Sequence, residues 1–197
     1  MTEYKLPYKG KIKLSSPYGK RVIDGQEDMH YGIDFVGMEE KLVRAPCNGW
    51  IGASKIVTDH SNATWQWGNY VRIDQEGAEI SIYLCHLTKR LVELGEYVKQ
   101  GDVIGIEGAT GYAFGSHVHL EFRQIGQPFN PTGVLGIKNQ PGMLNGDPLP
   151  AWYDDAARWA QRKGILKGIS QDELGLDMPC TRAQIVTMLW RFWQLDH

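Results

Sequence analysis

The sequence predicts a mainly β protein: an antiparallel sheet or sandwich with a small α-helical appendage at its C-terminal end. Three observations predict it. Apolar residues alternate with polar ones in short runs, Gly and Asn mark many of the breaks between runs, and the period changes from two to that of a helix after residue 150.

Lys11 to Leu14 opens the series of strands. In His30 to Phe35, Tyr31, Ile33 and Phe35 occupy one face, and His30, Gly32 and Asp34 the other. The short pair Ile56-Val57 and the run Tyr70 to Asp74 follow. Ile80 to Leu84 is mostly apolar, and His86 shares its parity. Val103 to Ile106 comes next. In His117 to Phe122, Val118, Leu120 and Phe122 take one face, and His117, His119 and Glu121 the other. Half-buried strands produce such a pattern.

Residues 136–150 are dense in Gly, Pro and Asn and read as a linker. The chain therefore divides into a β-domain at 1–135, the linker at 136–150 and a helical module at 151–197. Trp152, Ala156, Trp159 and Ala160 recur at helical spacing, and Gly164 stops the run. Thr181-Arg182-Ala183-Gln184 fits a capping box ahead of a stripe of Ile185, Met188, Leu189 and Phe192. So short a unit has little core of its own, so it must dock or self-associate.

With 197 residues and a net charge of -2, the chain has room for one ordinary domain and an appendage, and no strong pull toward nucleic acid or anionic membrane. No apolar run is long enough to span a bilayer. Met1-Thr2-Glu3-Tyr4-Lys5 lacks the apolar core of a secretory signal. Cys47, Cys85 and Cys180 are too few and too scattered for a disulfide framework and read as small buried thiols.

Four of the six histidines fall in three stretches: His30-x-x-x-Asp34, Cys85-His86-Leu87 and His117-x-His119. Imidazoles and a carboxylate projecting from one face of a sheet suit Zn2+, which at a catalytic site keeps three protein ligands and one open position. Glu121 shares that face and reads either as an acceptor orienting His119 or as a partly exposed carboxylate. His60 lies in a polar loop and His197 is terminal; neither has a partner motif. Trp65-Gln66-Trp67 reads as a groove wall or as ordinary loop packing.

These stretches, in this order, resemble the lysostaphin and LytM type of zinc endopeptidase. Pro17-Tyr18-Gly19-Lys20-Arg21, Ala45-Pro46-Cys47-Asn48-Gly49, Gly68-Asn69-Tyr70-Val71, Gly101-Asp102-Val103-Ile104-Gly105, Thr110-Gly111 through Gly115-Ser116-His117, and Asn130-Pro131 extend the likeness over roughly residues 12 to 132. The resemblance implies a compact antiparallel β-domain with its site in a groove walled by loops. It implies zinc held by His30, Asp34 and His119, with His86 and His117 as the catalytic pair. There is no H-E-x-x-H and hence no neighbouring glutamate base, and an imidazole suits proton transfer near neutrality. Some relatives place a tyrosine a few residues before the first histidine, where it helps hold the oxyanion; none lies between Tyr18 and His30 here, which leaves open whether Tyr18 or another residue takes that role.

The implied activity is hydrolysis of peptide cross-links in bacterial peptidoglycan. The competing expectations are a non-catalytic protein that binds wall peptides or activates a hydrolase, and a phosphocarrier of similar fold. The ligand set with two extra histidines disfavours the first, and Asp34 with the H-x-H pattern disfavours the second. Trp152-Tyr153-Asp154-Asp155, Trp159-Ala160, Gly164-Ile165 and Thr181-Arg182-Ala183-Gln184 resemble a single S-layer-homology-type repeat, as found at the end of some phage lysins. That implies binding to a cell-wall polymer, with packing or dimerisation as the alternative. The expected setting is synthesis in the cytoplasm and action at the bacterial cell wall; a phage or prophage lysin, assembly into a virion tail, or removal of a secretory signal would each reconcile the two.

Overall fold

A computed structural model describes residues 4–23, 25–62, 64–146, 154–167 and 180–195. Trp152, Tyr153, His197 and residues 147–150 lie outside the described residues. The chain divides into two units, Met1–Leu149 and Pro150–His197.

Strand β1 (Lys11–Ser16) buries Ile12 and Leu14 and turns Lys11 and Lys13 outward, so its alternation reports its burial directly. There follow β2 (Gly19–Ile23), β3 (Gln26–His30), β4 (Ile33–Gly37), β5 (Leu42–Arg44), β6 (Gly49–Lys55), β7 (Tyr70–Gln75) and β8 (Ile80–Cys85). The series continues through β9 (Lys89–Arg90), β10 (Tyr97–Val98), β11 (Val103–Ile106), β12 (Val118–Gln124), β13 (Gln127–Phe129) and β14 (Gly142–Asn145). The main sheet runs β10-β6-β7-β8-β12-β4-β1-β14 in space, with β13 paired to β12. A second sheet runs β5-β11-β9, and β2 and β3 form a separate hairpin. The described strand pairings are antiparallel. The core gathers Tyr8, Leu14, Ile33, Phe35, Ile73, Leu84, Leu120 and Phe122 on one side of the central strands.

Four expectations need correction. The run from His30 to Phe35 is two strands, because the chain breaks at Tyr31-Gly32 between β3 and β4. The strand expected at Ile56-Val57 lies earlier, at Gly49–Lys55, and Ile56 is exposed. Glycines hid it. A Cβ on Gly49 would meet the Asp74 carbonyl oxygen at 2.4 Å, so this glycine permits close packing with β7 and does not break the strand. Within the stretch read as a linker, Gly142–Asn145 forms β14 and pairs with β1 from Lys11↔Asn145 to Leu14↔Gly142. Its Gly-Met-Leu-Asn composition gave no alternation to read. Last, only two of the three thiols are buried: Cys47 and Cys85 are, and Cys180 is exposed.

In the second unit, α1 (Asp154–Arg162) ends ahead of Gly164, whose φ is +71°. Helix α2 (Arg182–Trp193) carries the expected capping box, with the Thr181 side chain accepting from the Gln184 N–H and the Gln184 side chain accepting from the Thr181 N–H. The Trp159 and Phe192 rings meet with centroids 6.2 Å apart. Ile185, Leu189 and Phe192 on the apolar stripe are exposed. Among the described residues no helix is long and apolar enough to cross a membrane.

Candidate metal centre and groove

Sheet register assembles the site. Asp34 on β4 stands opposite His119 on β12, and His119 stands opposite Cys85 on β8. Residues opposite one another across adjacent strands share a face, so Asp34, His119 and Cys85 form one row over the apolar core. His30 ends β3, where Gly19 of β2 faces it, and the turn through Gly32 brings it back over Asp34. Only a glycine fits at that turn, since a Cβ on Gly32 would lie 2.6 Å from His119 Cε1.

The donor atoms converge. His30 Nε2 lies 3.1 Å from Asp34 Oδ1 and 3.0 Å from His119 Nδ1, and His119 Nδ1 lies 3.0 Å from Asp34 Oδ1. A tetrahedral ion with bonds of about 2.0–2.1 Å needs donor–donor edges of about 3.3–3.4 Å. This near-equilateral N, N, O triangle is therefore a small expansion from a zinc-sized set, and among the described residues these three are the group able to hold a metal ion. Each imidazole is oriented through its other nitrogen. His30 Nδ1 donates to the Pro17 carbonyl at 2.7 Å, and His119 Nε2 donates to Glu121 Oε2 at 3.4 Å. Glu121 is buried and paired with Arg123, which supports its reading as the acceptor that orients His119. Arg21, on the hairpin, places Nη1 3.7 Å from Asp34 Oδ2 and donates through Nε to Asp28 at 2.8 Å.

Electrostatics follow from this crowding. Burial alone would raise the Asp34 carboxyl, but the hydrogen bonds and charge of His119 and His30 hold it far below the usual carboxylate range. Burial would lower His119, yet its hydrogen bonds with Asp34 and Glu121 and their charges raise it to about 9 without a metal. Cys85, although in the same row, is fully buried and its thiol is pushed well above its ordinary value, first by burial and then by the charge of Glu121. It stays a thiol, a poor ligand, and does not compete for the ion.

His86 is brought in by a backbone device. Strand parity would aim it into the core with Leu84 and Ile82. It sits just past β8 at φ +65°, and this left-handed residue reverses the direction of its side chain. Two backbone bonds hold the strained residue: its N–H donates to the Trp67 carbonyl at 2.8 Å, and its carbonyl accepts from Thr110 N–H. Its Nδ1 donates to the Thr110 carbonyl at 2.8 Å. His117 Nδ1 likewise donates to the Gly115 carbonyl at 2.8 Å. The unpinned Nε2 of His117 comes within 3.8 Å of Asp34 Oδ1, and the His86 and His117 ring centroids are 4.7 Å apart. Burial first, and then the charge of His117, lower His86 to about 4.

All five residues singled out in the sequence thus open on one groove. Its walls are the β2–β3 hairpin on one side, and on the other Gln66 and Trp67 together with the Tyr112 to Ser116 loop. Trp67 fills both roles expected of its segment, since it lines the groove and also packs on Tyr70 and Tyr83 beneath Arg123. Tyr18 packs against the core and is not a groove residue; Tyr31 and Tyr112 are. His60 stacks on Trp65 at 4.5 Å, apart from the donor cluster. Sequence reading missed the backbone carbonyls of Pro17, Thr110 and Gly115, because a carbonyl has no residue signature. It also missed Arg21 as a neighbour of Asp34, although Arg21 stands in a segment that carried the resemblance.

Known proteins match this arrangement. The family described as Peptidase family M23 matches residues 28–131. The peptidoglycan DD-endopeptidase ShyC of Vibrio cholerae is 39% identical over 125 residues, covering 62% of this chain and 27% of ShyC. Lysostaphin of Staphylococcus simulans is 32% identical over 131 residues, covering 66% of this chain and 25% of lysostaphin. A solved structure of the antimicrobial peptidase lysostaphin from Staphylococcus simulans matches with a TM-score of 0.55 at 26% identity, over 69% of this chain and 54% of that one. The chain spans a quarter to a third of the length of the curated relatives it matches. The family match takes in more than half of the chain, together with His30, Asp34, His86, His117 and His119, and the chain belongs to Peptidase family M23.

Proposed function

We propose that this chain is a zinc-dependent endopeptidase that hydrolyses peptide cross-links of bacterial peptidoglycan. One observation carries the reading: a donor triangle of 3.0–3.1 Å edges shares a groove with two further imidazoles, each pinned through Nδ1. The match to ShyC and lysostaphin supports the substrate class.

His30, Asp34 and His119 would hold the ion, which supplies Lewis-acid polarisation of the scissile carbonyl and a water of lowered pKa. The chain's own residues do the rest. With Nδ1 committed to a carbonyl, each of His86 and His117 directs Nε2 at the reacting atoms. One removes the proton of the attacking water and the other, once protonated, donates to the oxyanion; the proton then passes to the leaving amine. The peptide substrate would enter the groove lined by the hairpin residues Arg21 to Ile23 and Gln26 to Met29 and by Gln66 and Trp67.

The finer readings rest on the sequence resemblance: a phage or prophage lysin, and a C-terminal module at 151–197 that binds a cell-wall polymer. Zymography on purified cell walls, with and without chelator, tests the activity. A clearing band that chelator abolishes and zinc restores is the expected result. Binding to walls without clearing would favour the non-catalytic wall-peptide-binding reading.

A further inference from the structure

Glu107 lies just past β11 and takes no part in the chemistry above, yet its side chain is fully buried. A buried carboxylate is costly unless its lone pairs are filled. Here four donors fill them. Oε2 accepts from the Tyr8 hydroxyl and the Gly37 N–H, both at 2.8 Å. Oε1 accepts from Lys41 Nζ and the Ser116 hydroxyl, both at 2.7 Å. These donors come from separate places. Gly37 closes β4, the strand that carries Asp34, and Ser116 immediately precedes His117. Burial would raise the carboxyl, but Lys41, Ser116, Gly37 and Tyr8 together hold it below its ordinary value, so it is ionised at neutral pH.

The segment that Glu107 anchors is the one that orients both free imidazoles. Gly108 and His117 form a bridge at its base, with the His117 N–H donating to the Gly108 carbonyl at 2.9 Å. Within it, the Thr110 carbonyl holds His86 and the Gly115 carbonyl holds His117. Gly115 and Ser116 are themselves exposed. The hydroxyl of Ser116 is therefore a tether from an exposed turn to a buried anchor.

We propose that Glu107 is a positioning residue for His117, acting through the Ser116 hydroxyl. This rests on the hydrolytic reading above. The anchor fixes the distance between the loop that carries His117 and the strand that carries Asp34, because one carboxylate is bonded to both. A carboxamide cannot replace it. Glutamine would turn one acceptor oxygen into an NH2 group facing two donors, and the Gly37 N–H and the Lys41 ammonium cannot become acceptors. A displacement of about 1 Å in a catalytic group costs on the order of 100-fold in rate.

The test is Ser116→Ala, which removes the tether at an exposed position and leaves the anchor's other bonds in place. On a soluble cross-link peptide kcat should fall by roughly 10-fold or more, with KM and zinc content unchanged and the unfolding midpoint lowered only by the loss of one hydrogen bond to a buried carboxylate. Ser116→Thr, which keeps the hydroxyl, should recover most of it. Glu107→Gln should also lower kcat, and adding Ser116→Ala to it should lower kcat no further, since the two act through one bond. Amide hydrogen exchange at His117 should quicken in Ser116→Ala. A wild-type kcat in Ser116→Ala, additive losses in the double variant, or unchanged exchange would each overturn the proposal. Exchange needs no turnover: a wild-type protein that cuts nothing overturns the hydrolytic reading, while the exchange arm still decides whether the tether holds His117.

Discussion

The imidazoles of His86 and His117 lie in the groove with centroids 4.7 Å apart and planes tilted by 51°. They reach that spacing by different routes. His117 continues the line of β12 toward its N-terminal end, and His86 is turned in by its own left-handed backbone. Neither contributes an edge of the donor triangle.

That separation predicts a dissociation of metal binding from turnover. His86→Ala and His117→Ala should each retain zinc and lose about 10²–10⁴-fold in kcat, the usual contribution of a general acid or base. Metal analysis alongside peptide cleavage checks it; loss of zinc in either variant would make that histidine a ligand.

Asp34→Ala should behave oppositely. It removes the one oxygen at the corner shared by both histidines, so zinc and activity should vanish together. Full zinc occupancy in the purified variant would refute the donor set.

Zinc uptake should expel a proton. Without a metal, His119 is held at about 9 and carries a proton at neutral pH; it must lose that proton to ligate. Metal affinity should therefore rise as pH increases toward 9 and weaken below it. Calorimetry of zinc binding to chelated protein, in buffers of different ionisation enthalpy, should report close to one proton released at pH 7. A pH-independent affinity between 6 and 9 would contradict the Asp34–His119–Glu121 arrangement.

Two truncations separate the tail from the sheet. A chain ending at Gly146 keeps β14 and should cleave a small soluble peptide as well as the full chain does. If 151–197 tethers the enzyme to the wall, that truncation should lyse intact walls more slowly. A chain ending at Gly136 strips β14 from the edge of the main sheet and leaves β1 as the new edge strand, paired only with β4. It should unfold at lower temperature and aggregate, because an open edge recruits other strands. Equal wall binding by the Gly146 truncation and the full chain, in a pulldown, would remove the targeting idea.

Much of this site was legible because strand alternation and ligand chemistry carry the same signal. His117-x-His119 lies on the face opposite Val118, Leu120 and Phe122, so one pattern gives both the strand and the donors. His30 and Asp34 were legible as a pair although the strand between them is broken. Their common face survives because Tyr31-Gly32 is a short turn. His86 was the obscure one. Its parity points to the core, and nothing in Cys85-His86-Leu87 announces a positive φ at a non-glycine residue. The β2–β3 hairpin was missed because β2 and β3 are largely exposed and have no apolar face to alternate. β14 was missed because an edge strand of four residues needs only backbone partners.

The uneven placement of the three thiols makes the folded chain countable. Burial raises Cys47 to about 12 and pushes Cys85 well above its ordinary value, so neither forms an appreciable thiolate at neutral pH and neither can be reached by reagent. Cys180 is exposed just ahead of α2. A maleimide dye should couple once per native molecule, at the border of the last helix, and three times after denaturation. The protein thus offers a single attachment point for a fluorophore that watches the C-terminal unit while the groove around His30, Asp34 and His119 stays unmodified.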